Sequence, residues 1–146
     1  MADKKRSGAI RVLVYGTLKQ GQSNQIVMDE AGGKFMGYDS TTGPHRIVDL
    51  GGLPAVVDAP STLQTVRGQL YKVESEGLAV LDMLEGHPNF YCRQKLWTDV
   101  MKKKAWIYFM RNENWMGRVD RTPTIKDGLW NPTEQEATYW KLANVG

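Results

Sequence analysis

The apolar and polar positions of this chain follow two spacings, a period of two in short runs and a helical period in longer ones. Short runs rich in β-branched and aromatic residues, bounded by Gly and Pro, are typical of strands. They predict strands over residues 10–15, 34–42, 45–50, 54–58, 65–74, 91–100 and 105–110. The last two flank a lysine triplet and predict a hairpin.

Two main segments have helical spacing. Residues 25–31 predict a short helix with Asn24 as its N-cap and with Ile26 and Val27 facing inward. The second predicted helix covers residues 76–84, and its N-cap and apolar stripe are Ser75, Leu78, Leu81 and Leu84.

The order of these elements is not the strand–helix alternation that builds a parallel sheet. One strand precedes the first helix, four strands follow it, and two more follow the second helix. This order favours an α+β fold, with a mostly antiparallel, barrel-like sheet and flanking helices.

The pattern of apolar and polar residues changes at residue 111, because Asn, Gly and Pro beyond it interrupt any long helical or strand period. We expect residues 1–110 to form the domain, with residues 1–9 as a flexible arm, and residues 111–146 to be an extension packed on it. Pro132 marks the start of a predicted helix in this extension. Its three tryptophans are costly to leave in water, and they are Trp115, Trp130 and Trp140.

Length and composition indicate one globular domain. At 146 residues, with 41% hydrophobic and 24% charged residues, the chain can bury a sizeable core. Its net charge of +3 comes partly from residues 4–6 and 102–104, which we expect to be a solvated arm and a hairpin turn. No nucleic-acid partner is expected, since such binding would require both clusters to converge on one face with exposed aromatic rings.

The cysteine content and the lack of long apolar runs suggest a compartment. Cys92 is the single cysteine and cannot form an internal disulfide, and residues 1–8 lack the apolar core of a signal peptide. No apolar run approaches the roughly 18 residues that span a bilayer. We therefore expect a cytoplasmic protein with no membrane partner, of unknown oligomeric state.

Histidine and cysteine positions do not suggest a metal site or a nucleophile. His45 and His87 lie far apart in sequence and form no helix-spaced ligand pair. Cys92 belongs to a strand pattern and is expected to be a small core residue. No metal and no cofactor are therefore expected.

The stretch after the first strand is a candidate binding loop. A buried-looking strand stops at Gly16, which lets the backbone approach a ligand closely. Exposed N–H groups at a strand end can hold an anion or a carbonyl oxygen. An ordinary strand-to-loop turn is the alternative, because a single glycine is a weak signal.

Glu85 is an acid in an unfavourable position. It follows the helical pattern of residues 76–84, where the negative end of the helix dipole disfavours a carboxylate by about 0.3 to 1 kcal/mol. If Leu84, Phe90 and Tyr91 also desolvate it, its pKa should rise toward neutrality, as a general base requires. An exposed glutamate at a helix end is the alternative.

Two blocks of the sequence resemble the γ-glutamylcyclotransferase-like superfamily, and especially its γ-glutamylamine cyclotransferase branch. The blocks are residues 14–24, VYGTLKQGQSN, and residues 81–93, LDMLEGHPNFYCR. Together with similar strands between them, the resemblance covers about residues 10–110. Ser23 stands where the amine branch often has proline, and residues 111–146 have no evident counterpart.

The resemblance implies a small β-barrel with flanking helices and a particular reaction. The α-amino group of a small γ-glutamyl amine or peptide attacks its own γ-carbonyl, which releases 5-oxoproline and an amine without metal or cofactor. Glu85 is implied as the acid and base. The implied substrate-binding residues are Tyr15, Gly16, Thr17, Leu18, Tyr91 and Arg93, of which the last two line or brace the site.

Two questions stay open at this stage. A non-catalytic module that binds a small metabolite or a protein on the same fold is the alternative function, and a filled or absent cavity between residues 15–18 and Glu85 would favour it. The tryptophans of residues 111–146 either cover a sheet face or a subunit contact, or lie near the leaving-group side of the site.

Overall fold

The computed structural model describes residues 10–111 and 121–143, which form a mixed sheet and flanking helices. The strands are β1 (Ile10–Val14), β2 (Lys34–Gly43), β3 (His45–Asp49), β4 (Pro54–Asp58), β5 (Gln64–Val73), β6 (Tyr91–Trp97) and β7 (Lys104–Met110). The helices are α1 (Gln25–Glu30), α2 (Ser75–Glu85) and α3 (Glu134–Ala143). The predicted α+β class is confirmed.

The sheet runs in the order β2-β5-β1-β7-β4-β3, and β6 pairs with β7. Four pairs are antiparallel, namely β1 with β5, β2 with β5, β3 with β4, and β6 with β7. Strand β7 pairs in parallel with β1 and β4, which joins the two antiparallel halves. The sheet curls into a half-barrel, so the barrel-like prediction is confirmed in this form.

A segment from the C-terminal part bridges β3 and β5. The N–H of Ile125 donates to the carbonyl oxygen of Ile47 in β3, and the N–H of Arg67 in β5 donates to that of Gly128, each at 2.9 Å. Gly128 has a φ of +69°, and a Cβ there would collide with the carbonyl of Thr65. Glycine is therefore required where this segment crosses β5.

Alternate residues along β1 and Tyr15, which directly follows it, belong to two different apolar clusters. Val12 and Val14 join the cluster covered by α1 and α2, whereas Leu13 and Tyr15 join the cluster on the other face of the sheet. This is the period-two pattern of a central strand that is buried on both faces. The residues that follow β1 are therefore held by core packing from two sides.

The first helix differs from its prediction. Ile26 is exposed, and the buried residue of α1 is Met28. Asn24 makes no side-chain cap, because its amide group bonds to the preceding loop instead. Val27, which was also predicted to face inward, is partly buried and packs against the same core as Met28. The inward face of α1 is therefore formed by Val27 and Met28 and does not include Ile26.

The predicted second helix and hairpin are present with shifted ends. Leu78 and Leu81 of α2 are buried, but Leu84 is 40% exposed, and Ser75 lies inside the helix after an N-cap at Glu74. Strand β6 stops three residues before the predicted end, because residues 98–103 turn back toward β7. Asp39 accepts the N–H groups of two residues in this turn.

The described tryptophans of the C-terminal part are buried. Trp130 and Trp140 are each 7% exposed. Tyr139 of α3 stacks on Tyr38 of β2 with ring centroids 4.5 Å apart. Trp115, the third tryptophan expected to pack, lies outside the described residues.

Candidate active site

The loop that follows β1 folds back through backbone hydrogen bonds. The N–H of Lys19 donates to the carbonyl oxygen of Gly16 at 3.1 Å, and the N–H of Asn24 donates to that of Thr17 at 2.9 Å. Asn24 also donates from its side chain to Thr17 Oγ1 at 2.9 Å. Among the described residues, no protein acceptor is found for the N–H groups of Gly16, Thr17 and Leu18. These donors are available to a ligand.

Gly16 lies directly against Pro54, the first residue of β4. A Cβ on Gly16 would be 2.8 Å from Pro54 Cγ, which is too close for any other residue to fit without movement. The hydroxyl of Tyr91 donates to the carbonyl oxygen of Pro54 at 2.7 Å. Pro54 thus connects the loop to Tyr91, and sequence reasoning did not single it out.

Tyr15 joins two strands with its hydroxyl group. The hydroxyl donates to the carbonyl oxygen of Tyr108 in β7 at 2.7 Å and accepts the N–H of Val56 in β4 at 3.1 Å. Burial raises the pKa of Tyr15 well above its ordinary value. Since its proton is donated to the backbone, the ring and main chain of Tyr15 are what it can offer to a ligand.

Glu85 is the last residue of α2. The helix ends at Gly86, whose left-handed conformation (φ 69°) turns the chain and lets its N–H bond the final carbonyls. Burial raises the pKa of Glu85 from 4.5 to about 7. The predicted upward shift is confirmed, with desolvation as its cause.

A cavity of about 140 Å³ separates the loop from Glu85. Six of the seven predicted site residues line it, namely Tyr15, Gly16, Thr17, Leu18, Glu85 and Tyr91. Leu53, Leu84 and Phe90 add apolar surface, and of the described residues that line the cavity only Glu85 ionises near neutral pH. Cavities of about 150 Å³ hold molecules of the size of benzene. This one therefore has room for a five-membered ring.

Arg93, the seventh predicted residue, is not part of the lining. Its Nε and Nη2 donate to Asp82 Oδ1 and Oδ2 at 2.8 and 3.0 Å, and its guanidinium lies 4.3 Å from the centre of the Trp106 ring. Asp82 also accepts the hydroxyl of Tyr108 at 2.7 Å. Tyr108 does line the cavity. Arg93 therefore supports the cavity wall indirectly, through Asp82 and Tyr108.

Sequence reasoning missed Asp82 and Tyr108, although both carried a signal. Asp82 precedes Glu85 by one helical turn, so the two carboxylates share a side of α2. Tyr108 pairs directly with Arg93 across the predicted hairpin. An acid, a base and a tyrosine on these adjacent positions form a hydrogen-bonded group.

Other candidates from the sequence lie apart from the cavity lining. His45 is buried and contacts the ring of Phe109, and Cys92 is half-buried in β6. Within residues 10–111 and 121–143, no group of three or more His, Cys, Asp or Glu side chains could hold a metal ion. No helix in the same residues is long and apolar enough to cross a membrane. The basic residues 4–6 lie outside the described part of the chain.

None of residues 121–143 lines the cavity. Trp130 donates its indole N–H to Asp49 at 3.1 Å, and Trp140 packs against the ring of Tyr38. Trp130 and Trp140 therefore serve packing, and neither of them lines the cavity.

Comparisons with known proteins place the chain among related sequences and folds. The family model "Gamma-glutamyl cyclotransferase, AIG2-like" matches residues 12–132. A gamma-glutamylaminecyclotransferase of Bos taurus is 37% identical over 90 residues, 58% of this chain and 54% of the bovine protein. A gamma-glutamylcyclotransferase family protein of Escherichia coli K12 is 30% identical over 121 residues, 83% of this chain and 96% of that protein. The crystal structure of an AIG2-like protein from Mus musculus has a TM-score of 0.71 and 24% identity, covering 87% of this chain and 98% of that chain.

Proposed function

The chain belongs to the AIG2-like family of gamma-glutamyl cyclotransferases, and we propose that it cyclises a γ-glutamyl amine or peptide to 5-oxoproline and a free amine. The observation that carries this proposal is the carboxyl group of Glu85. Its pKa of about 7 and its place in the wall of a small cavity, opposite unpaired backbone N–H groups, suit a group that both accepts and returns a proton.

The reaction needs only the atoms of the substrate and one proton carrier. The α-amino nitrogen forms a bond to the γ-carbonyl carbon, and the bond from that carbon to the leaving nitrogen breaks. Glu85 in its ionised form accepts a proton from the α-ammonium group, which frees the amine to attack, and then donates this proton to the departing nitrogen. The ring nitrogen gives up a second proton as the ring closes, and the released amine takes up this proton and leaves as an ammonium ion. Holding the reacting groups in one cavity makes the ring closure more probable, an effect worth up to several kcal/mol.

The free N–H groups of Gly16, Thr17 and Leu18 supply the complementary part of the site. A γ-glutamyl substrate carries an α-carboxylate and develops negative charge on its γ-oxygen as the ring closes. Donors fixed in a loop are suited to either oxygen, because they need no reorganisation during the reaction. Among the described residues, the lining contains no lysine or arginine, and these backbone N–H groups are the donors that we assign to this purpose.

The apolar lining residues keep the pKa of the proton carrier, Glu85, raised. Leu84 and Phe90 flank Glu85 in the cavity wall, and burial is the cause of the raised pKa of Glu85. The proton therefore leaves and returns close to neutral pH. Tyr91, tied to Pro54, closes the same wall.

The test is a cyclisation assay with a panel of γ-glutamyl amines, γ-glutamyl peptides and γ-glutamyl-ε-lysine, in which mass spectrometry detects 5-oxoproline and the released amine. We expect at least one class to be converted, with Glu85→Gln as the inactive control. A protein that binds 5-oxoproline yet converts none of the panel would favour the alternative, a module that only binds a small metabolite.

A further inference from the structure

Lys19 is a charged residue that is wholly buried behind the cavity loop. Its side chain is 0% exposed, and so is that of Glu136 in α3. Lys19 Nζ donates to Glu136 Oε1 at 2.8 Å and to the carbonyl oxygen of Trp130 at 2.6 Å. The ion pair joins residues that are 117 positions apart in sequence.

A buried ion pair of this kind is not explained by stability alone. The cost of removing two charges from water is often as large as their attraction, so an apolar pair of similar volume would serve a core as well or better. Burial lowers the pKa of Lys19, although the hydrogen bond from Lys19 to Glu136 opposes this effect. In some proteins a buried ion pair instead fixes how the segments that it joins are placed relative to each other. Here the pair joins the loop to α3 through Glu136 Oε1, while the buried Glu136 Oε2 has no hydrogen-bond partner among the described residues.

Other contacts fasten the same face of the loop to the same C-terminal segment. Gln22 Nε2 donates to the carbonyl oxygen of Asn131 at 2.6 Å, and Asn131 Nδ2 donates back to Gln22 Oε1 at 3.2 Å. A Cβ on Gly21 would collide with the methyl group of Thr133. The outer side of the loop is therefore held at three successive points by residues 130–136.

The inner side of this loop is the wall of the cavity. The N–H of Lys19 bonds to the carbonyl oxygen of Gly16, and Leu18, directly before Lys19, is a lining residue. The contacts of the Lys19 side chain therefore restrain the backbone that carries the N–H groups of residues 16–18. None of residues 121–143 touches the cavity itself, so their effect on it runs through the loop.

We propose that Lys19 and Glu136 are positioning residues, which hold the loop of residues 16–22 in the geometry that binds the γ-glutamyl group. This inference rests on the proposed function. It gives the C-terminal helix α3 a role in substrate binding without a contact to substrate. The ion pair, with the Gln22 to Asn131 bonds beside it, sets the distance between the loop and Glu85 on the opposite wall.

The experiment compares Glu136→Gln and Lys19→Met with the wild-type chain and with Glu134→Gln, an exposed control on the same helix. Hydrogen exchange of the peptide covering residues 16–24 is measured against that of β7. In both test variants we expect faster exchange in the loop and unchanged exchange in β7. For the folded enzyme we expect KM for the γ-glutamyl substrate to rise about 10- to 100-fold, with a smaller change in kcat and an unchanged pH profile.

A purely structural role would lower the melting temperature of Glu136→Gln and leave KM of the folded protein unchanged, and this result would overturn the proposal. If neither test variant folds, exchange in the wild-type chain decides. The amides of Lys19, Gln22 and Asn24 should then exchange as slowly as that of Ala137 in α3, and much faster exchange in the loop would overturn the proposed positioning role of Lys19 and Glu136. Failure of the wild-type protein to cyclise any substrate would instead remove the proposed function, and the exchange result would still stand.

Discussion

Arg93 donates two hydrogen bonds to the carboxylate of Asp82, from Nε to Oδ1 at 2.8 Å and from Nη2 to Oδ2 at 3.0 Å. Tyr108 donates its hydroxyl to the same carboxylate at 2.7 Å. Asp82 lies one turn before Glu85 in α2, so these bonds tie the end of that helix to β6 and β7. Asp82, Arg93 and Tyr108 together fix one wall of the cavity. A substitution in this group should change the stability of the protein without removing the proton carrier Glu85.

We expect Asp82→Asn to destabilise the protein by about 1 to 2 kcal/mol at neutral pH, a value discounted because both side chains are partly exposed. Burial alone would raise the pKa of Asp82, but the hydrogen bonds from Arg93 and Tyr108 outweigh it and hold this pKa below its ordinary value. The stabilisation is therefore present above the unfolded-state pKa and is lost as pH falls through the folded-state pKa.

Melting temperatures of the wild type and of Asp82→Asn, measured at pH 7 and in acid near pH 3, test this expectation. The difference between the two proteins should be large at pH 7 and shrink in acid. The exposed Asp29 on α1 gives the control Asp29→Asn, which should change little at either pH. An equal difference at both pH values would contradict an ionic role for Asp82.

Glu85→Gln should leave the fold intact and lower turnover by about two to four orders of magnitude, because it keeps the shape and removes the proton carrier. In the wild type, kcat/KM should rise as pH passes through about 7, where Glu85 ionises. The measurement is the pH dependence of 5-oxoproline formation. Near-normal turnover in the variant would remove Glu85 from the mechanism.

Although Glu85→Gln should lower turnover, it should raise the free energy of unfolding at high pH. The folded-state pKa of Glu85 is raised to about 7 from 4.5, so its ionisation favours the unfolded chain. Its contribution is fully present below the unfolded-state pKa and is lost as pH rises through the folded-state pKa. Glu85→Gln should therefore match the wild type near pH 4 and be more stable by about 2 to 3 kcal/mol above pH 7.5. Denaturant titrations at both pH values decide, and a constant difference would show that burial does not perturb this carboxyl group.

Gly16→Val should weaken binding of 5-oxoproline far more than Thr17→Ser. The sequence suggested that a Cβ would intrude on a ligand lying against the backbone. The structure adds a second reason, since the Cβ would stand 2.8 Å from Pro54 Cγ and displace a residue of the cavity wall. Calorimetric titration of both variants with 5-oxoproline measures the difference, and equal affinities would show that the loop backbone does not approach the ligand.

Local patterns predicted the elements that lead to the site, and the family resemblance, confirmed by the match over residues 12–132, connected them. The strand before Gly16 and the misplaced acid at the end of α2 were both visible in the sequence. The hydroxyl of Tyr15 was not, because it bonds to backbone groups of β4 and β7 that have no sequence signature.

Lys19 shows most clearly what the sequence alone could not provide. A lysine in a polar, glycine-containing loop predicts exposure, and its acid partner Glu136 reads as an ordinary first-turn glutamate of a helix. Only the path of the C-terminal segment brings the two together. The phase of α1, with Met28 and not Ile26 inside, depends in the same way on contacts distant in sequence.

Truncation after Met110 should yield a protein that aggregates or melts far below the full chain. It removes the segment that hydrogen-bonds β3 and β5 together, exposes the surfaces covered by Trp130 and Trp140, and removes both described hydrogen-bond partners of the Lys19 ammonium group, the Trp130 carbonyl oxygen and Glu136. Loss of one buried tryptophan costs about 3 to 5 kcal/mol, a large part of the stability of a domain of this size. Solubility, thermal melting and the substrate preference of the truncated chain are the measurements. A soluble product that melts cooperatively near the melting temperature of the full chain would contradict this structural role. If that product also had an altered preference among leaving groups, the C-terminal part would be inferred to select the substrate.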